Sequence, residues 1–217
     1  MSAYGATRRS GAIRPAARAA AWAPDYRPGA LRSPDTCGRY GWCRSMAAPS
    51  VTFQDYDPAY PEAFTRLADT IRERLPAVRL EHVGSTSVPG LGGRRTLDVA
   101  LIAPPAAHEA AAAVLQELGY TRPPFAWRQH MFSGFVDLQG MSYPALVYVV
   151  DEDDAMLRGW VMVRDHLRTH PDAVTRYGEA KRAILSRGES APSAYQRGKE
   201  AFLADLAAEA ARSSRSI

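Results

Sequence analysis

The chain has 217 residues, 46% of them hydrophobic and 23% charged, which suits a packed globular domain and excludes a fibrous or wholly disordered protein. Its formal charge of +4 is unevenly placed: residues 1–45 carry eight arginines against Asp25 and Asp35, a net of +6, whereas residues 46–217 carry 19 basic against 21 acidic residues, a net of −2. Removing the head removes the main ground for a nucleic-acid partner, because nucleic-acid domains concentrate positive charge in their folded part.

Residues 1–45 mix Ala, Arg, Gly and Pro with few large aliphatic residues. They cannot bury enough apolar surface to offset the entropy of ordering, so this segment is predicted to be a disordered extension preceding a domain over 46–217. Arg14, Pro15, Arg18 and Pro24 interrupt every apolar run that a secretory signal needs, and Arg8-Arg9 lacks the apolar stretch of a twin-arginine signal. The composition suits an organelle transit peptide or sequence upstream of a start at Met46, and the second reading is preferred. Cys37 and Cys43 are too few for a four-ligand zinc site and read as reduced thiols. The most apolar stretch, 99–107, is half the length of a membrane span and contains two prolines, so a cytoplasmic protein is expected.

Over 61–75 the residues Phe64, Leu67, Ala68, Ile71 and Leu75 recur at three- and four-residue spacing, which predicts an amphipathic helix ending before Pro76. A short extended segment at 80–83 leads to a Gly-Ser turn at Gly84 and Ser85, a Pro-Gly turn at Pro89 and Gly90, and an apolar strand over 96–103. A helix over 106–118 closed by Gly119 follows, then strands over 131–138 and 146–150 joined by a hairpin around 140–144. After Asp154 the pattern is helical at 155–169, 172–186 and 193–211, interrupted by Pro171 and by 188–192. The expectation is an α+β fold: a small mixed sheet flanked by helices, with a helical C-terminal third.

The segment from 82 to 98 carries the most chemistry. A Gly-Ser pair at a strand end lets backbone amides and a hydroxyl approach phosphate oxygens with no Cβ in the way. A carboxylate on the adjoining strand, Asp98, can hold Mg²⁺ against the same phosphates. That combination predicts a nucleotide site, with Arg94 and Arg95 supplying positive charge nearby. Asp98 within an apolar strand also needs a partner for its charge, and the metal, Arg94, Arg95, Lys181 and Lys199 are the candidates. Tyr177 with Lys181, and Tyr195 with Lys199, each share one helix face.

The spacing of Gly84-Ser85 and Asp98 resembles the nucleotidyltransferase superfamily. The unbroken run His-Val-Gly-Ser-Thr-Ser-Val-Pro-Gly-Leu over 82–91 resembles more closely the GrpB family, stand-alone domains also found fused to dephospho-coenzyme A kinase. Arg164-Asp-His-Leu-Arg168 with Tyr177 and Lys181, and Tyr195 with Lys199 and Phe202, resemble that family's later helices. The likeness runs over roughly residues 51–206 and omits the head. It implies a nucleotidyltransferase-like fold that binds a nucleotide or phosphorylated small molecule through Gly84, Ser85, Thr86, Arg94, Arg164, Lys181 and Lys199, with Mg²⁺ at Asp98 as catalytic and metal-holding residue. No membrane partner is expected from the hydropathy, and protein partners stay unspecified.

Three departures bear on mechanism. Ala100 stands where a catalytic nucleotidyltransferase carries its second carboxylate, which two-metal catalysis needs. Leu146-Val-Tyr148 stands where the relatives usually carry His-x-His, and Arg94-Arg95 replaces Lys-Pro. Two readings therefore stay open: a Mg²⁺-dependent nucleotidyltransferase, and a catalytically silent ligand-binding or interaction module on the same fold. Asp137, the His166 and His170 pair, and the acidic run over 151–154 read as structural, the last as a run facing a helix N-terminus.

Overall fold

The computed structural model describes residues 50–213 apart from residues 124, 125 and 127. The extension predicted over 1–45, with Cys37 and Cys43, lies outside the described residues.

Helix α1 (Tyr60–Arg72) forms because Ala63, Leu67, Ala68 and Ile71 fall on one stripe, with Pro61 in its first turn and Arg72 in its last. Full burial of a side chain such as Leu67 or Ile71 contributes about 2 kcal/mol. Strand β1 (Arg79–Val83) leads through a short 3₁₀ turn to β2 (Leu97–Ile102), and α2 (His108–Glu117) follows. Strands β3 (Met131–Leu138) and β4 (Met141–Val150) form a hairpin, after which come α3 (Ala155–Thr169), α4 (Pro171–Ser186) and α5 (Pro192–Ser213). The α+β class and the helical C-terminal third are as the sequence predicts.

The four strands lie in the order β1-β2-β4-β3. β2 runs antiparallel to β1 and parallel to β4, so the sheet is mixed. One face buries Leu97, Val99, Leu101, Val147 and Val149 against α1 and α2. The other buries Ala100, Ile102, Leu146 and Tyr148 against Leu157, Trp160 and Val161 of α3. A third cluster ties Val88 and Leu91, from the loop after β1, to Leu167, Tyr177 and Leu206 of the C-terminal helices. That cluster fixes the Gly-Ser loop against α3, α4 and α5, and so sets the distance between the loop and the lysines those helices carry.

Two local features differ from expectation. The hairpin turn is the two-residue Gln139-Gly140 pair, with φ of 51° and 78°, and β4 begins at Met141. Positive φ at both positions matches the twist of the flanking strands. Pro144 therefore lies inside β4, opposite Phe135, just before the pairing of β4 with β2 begins at Ala145, and a proline is tolerated where no second ladder needs its N–H. At the other end of the sheet, Asp154 from the acidic run caps α3 by accepting from the amides of Met156, at 2.8 Å, and Leu157. The dipole reading of that run thus becomes a specific N-cap.

Candidate functional site

Strand β1 ends at Val83 and is followed by Gly84, whose φ of 71° lies in the region that favours glycine. A Cβ there would sit 2.4 Å from Oδ2 of Asp98, so the bare backbone is what lets the loop pass the carboxylate on β2. Ser87 closes the turn by donating from Oγ to the Gly84 carbonyl at 2.6 Å. Ser85 beside it is half-buried, and its hydroxyl makes no hydrogen bond among the described residues. Gly93 lies across from it: a Cβ on Gly93 would sit 3.0 Å from both Ser85 Oγ and Lys181 Nζ. Two glycines thus let Asp98, Ser85 and Lys181 approach one another where Cβ atoms would intrude.

Lys181 comes from α4 and is 1% exposed. Its ammonium donates to the Gly92 carbonyl and lies 4.5 Å from the centre of the Tyr177 ring. Burial, then repulsion from Lys199, Arg182 and Arg94, pushes its pKa down to about 6. Lys199 comes from α5, stands over the Tyr195 ring at 5.0 Å, and is pushed down to about 8 by burial and Arg94, with Asp98 opposing. Arg94, on the loop before β2, exerts its field on Asp98, both lysines and the phenols of Tyr148, Tyr177 and Tyr195. Three basic side chains thus gather round one carboxylate, which acts on Arg94 and Lys199 but not on Lys181.

Asp98 is placed by the register Val83↔Asp98 on one side and Asp98↔Leu146 on the other. Tyr148 donates its hydroxyl to Asp98 Oδ1 at 3.3 Å. Burial pushes the carboxyl above its usual range, against the pull of Arg94, Lys199 and that hydrogen bond. Burial, and then the Asp98 charge, drives the Tyr148 phenol well above its ordinary value, so it remains a donor. Ala100, two residues along the strand, lies opposite Tyr148, and a fully buried apolar surface occupies the place of a second carboxylate.

Of the residues expected to bind phosphate, Gly84, Ser85, Arg94, Lys181 and Lys199 converge with Asp98, and two do not join them. Thr86 is buried, donating to the Thr96 carbonyl and meeting His82 Nε2 at 3.0 Å. Arg164 lies on the far side of the motif loop, where Nη1 pairs with Glu81 at 2.6 Å and donates to the His82 carbonyl, and Nε pairs with Asp165. There it braces the exposed edge of β1 against α3. That side holds an open groove of about 890 Å³, lined by Phe64, His82, Ser87, Pro89, Arg164 and Arg168 among others. His82 stacks on Phe64 in it and is pushed down to about 3 by burial, Arg168 and Arg164, so it is a neutral ring at any ordinary pH. Asp137 is exposed on β3, and His166 and His170 stack on each other at 3.9 Å, as structural residues.

The sequence marks Tyr148 only as standing where relatives carry an imidazole, and it does not single out Gly93. Gly93 stands next to Arg94, and its adjacency to the motif was the only available signal.

The family described as GrpB protein matches residues 50–209. A UPF0157 protein of Pseudomonas aeruginosa is 34% identical over 166 residues, covering 73% of this chain and 67% of that protein. A UPF0157 protein of Halalkalibacterium halodurans is 35% identical over 144 residues, covering 62% of this chain and 69% of that protein. The crystal structure of conserved protein GrpB from Enterococcus faecalis superposes with a TM-score of 0.62 at 22% identity, over 75% of this chain and 99% of that chain, a likeness of fold. No helix among the described residues is long and apolar enough to cross a membrane.

Proposed function

The chain belongs to the GrpB family, and from that premise we propose that its cleft binds a nucleotide or other phosphorylated small molecule by the phosphate. The observation that supports this most is the charge arrangement: Arg94, Lys181 and Lys199 converge, and among the described residues none of them forms a close ion pair with a carboxylate. Cations held together in partial burial repel one another, and a phosphate brought between them removes that repulsion while gaining charge-assisted hydrogen bonds. Arg94 offers a planar fork for two phosphate oxygens, and Lys199 a point charge beside it. The Ser85 hydroxyl supplies a free donor on the opposite wall.

The donor set does not fit a resident Mg²⁺. Asp98 is a single carboxylate, Tyr148 occupies one of its oxygens, and Gly84 lies against the other. No group of three or more potential metal-ligating side chains occurs among the described residues. Magnesium needs near-octahedral oxygen ligation and a carboxylate free to face it, and the surrounding cations oppose it further. Nucleotidyl transfer through two bridged metals also lacks its second carboxylate at Ala100. The favoured reading is therefore a phosphate-binding module in which side-chain cations neutralise the ligand.

Incubating the full chain with a panel of nucleoside triphosphates, with and without Mg²⁺, and following thermal shift together with pyrophosphate release tests this. The expected result is stabilisation that does not need Mg²⁺ and no pyrophosphate. Absence of a shift with every triphosphate removes the phosphate site, and Mg²⁺-dependent pyrophosphate release restores the transferase reading.

A further inference from the structure

Lys181 is the most unusual charged group in the described fold. A lysine buried to 1% exposure ordinarily has a carboxylate beside it. This one has the Gly92 carbonyl as acceptor and the faces of Tyr177 and, at 6.0 Å, Phe53 as neighbours. The charged groups that reach it are all positive: Lys199 from α5, Arg182 from its own helix and Arg94 from the loop before β2. Arg182 is directed outward, where it pairs with Asp55 at 3.1 Å. Asp98 acts on Lys199 and Arg94 rather than on Lys181. The ammonium and the unpartnered Ser85 hydroxyl flank the bare Cα of Gly93, where a Cβ would lie 3.0 Å from each.

Charge counting then constrains the ligand. With Lys181 neutral, Arg94 and Lys199 against Asp98 leave the cleft with a single net positive charge, which a singly charged phosphate diester satisfies. With Lys181 protonated, the cleft carries two, which a terminal phosphate group satisfies. The place where Lys181 faces Ser85 is useful only in the second case, because only then does the amine donate to a ligand oxygen as well as to Gly92.

We infer that the cleft selects a dianionic tetrahedral group, a terminal phosphate rather than a bridging diester, and takes it up together with one proton that lodges on Lys181 Nζ. This rests on the phosphate-binding reading above and adds the charge state of the ligand and the proton that accompanies it. The step is an acid–base balance only: the amine lone pair accepts a proton from solvent, the ammonium donates to a ligand oxygen, and no covalent bond changes. The depressed affinity of Lys181 for protons in the empty cleft supports it, because an anion beside the amine reverses the cause of that depression.

Sulfate is the suitable probe, since it remains a dianion throughout the relevant pH range and any proton taken up belongs to the protein. Titrating the full chain with sulfate by calorimetry at pH 7, in two buffers of different ionisation enthalpy, gives the proton count directly. The expected result is uptake of about one proton per sulfate bound. In Lys181→Met the uptake should vanish, whereas in Lys199→Met it should persist with weaker binding. Methyl phosphate should bind at least about tenfold more tightly than dimethyl phosphate. Sulfate binding with no proton uptake in the native protein overturns this inference and leaves the phosphate site standing. Equal affinity for the two phosphate esters does the same, and no binding of any of these anions overturns both.

Discussion

The two sides of the loop over 82–91 use arginine in opposite ways. On the side of the open groove, Arg164 is saturated by Glu81, Asp165 and the His82 carbonyl, and Arg168 gives two donors to the Ser87 carbonyl. On the side of the cleft, Arg94 and Lys199 share one carboxylate that is itself bonded to Tyr148, and Lys181 beside them has none. Cations of the first kind hold β1 and its loop to α3. Those of the second kind raise the free energy of the empty fold, and that cost is relieved only when an anion arrives. Positive charge on this protein is therefore informative about function only once its partners are known.

The largest effect is expected from breaking the saturated side. Arg164→Ala takes from Glu81 its close partner at the sheet edge and leaves it only Arg79 at 3.8 Å, so with side-chain exposures of 10% and 28% for Arg164 and Glu81 the loss should be about 3 kcal/mol of unfolding free energy. Urea unfolding should show a lower midpoint with an unchanged slope. Anion affinity, measured under conditions where the variant is folded, should stay as it was.

On the unsaturated side a comparable substitution should act in the other direction. Lys181→Met removes a buried amine with no carboxylate partner and should stabilise the anion-free protein by about 2 kcal/mol at pH 7 while abolishing sulfate-linked proton uptake. The sign follows from linkage. Lys181 has a folded pKa of about 6, below its ordinary 10.5, so between those values the unfolded chain holds the extra proton and raising the pH favours the fold. Melting temperature measured across that window should rise more steeply with pH in the native protein than in the methionine variant.

A smaller change in the cleft separates packing from charge. Gly93→Ala places a methyl group against Ser85 Oγ and Lys181 Nζ, at 3.0 Å from each, where both neighbours are side-chain termini that can give way. Stability should change by less than about 1 kcal/mol, whereas phosphate affinity should fall about tenfold, or ~1.4 kcal/mol. Smaller still is the effect of Asp98→Asn. Removing the one negative charge should tighten anion binding about threefold, because Arg94 and Lys199 then act on the ligand alone. A loss of binding in this variant would mark Asp98 as a metal ligand.

How much of this could be read from the sequence follows the same division. Gly84, Ser85 and Asp98 were legible because a glycine turn at a strand end and a carboxylate on the next strand are local features, and the short connection lets the register do the rest. Lys181 and Lys199 were legible because four-residue spacing puts each on its tyrosine's face of a helix. Thr86 was misplaced because successive residues of a 3₁₀ turn point about 120° apart, so the residue beside Ser85 faces the core. Arg164 lies outside the cluster because, besides the adjacent Asp165, it is held by Glu81 and His82 of β1, more than eighty positions away in the chain, and a charge in a motif does not announce its counter-charge. Tyr148 was hidden for a related reason: its hydrogen bond to Asp98 depends on the parallel register of β2 with β4. The Gln139-Gly140 turn fixes where β4 begins against β3, and Pro144 disguises that start. The proline resembles a turn signal, and its tolerance depends on the pairing with β2 starting only at Leu97↔Ala145.

The most direct measurement is a calorimetric titration of the full chain with ATP in the presence of EDTA, alongside the Arg94→Gln variant. Saturable binding by the native protein without any divalent ion is expected, weakened at least about tenfold in the variant while both unfold at similar urea concentrations. Binding that appears only when Mg²⁺ is restored, or that is equally tight with glutamine at position 94, would contradict a site built from unpaired cations.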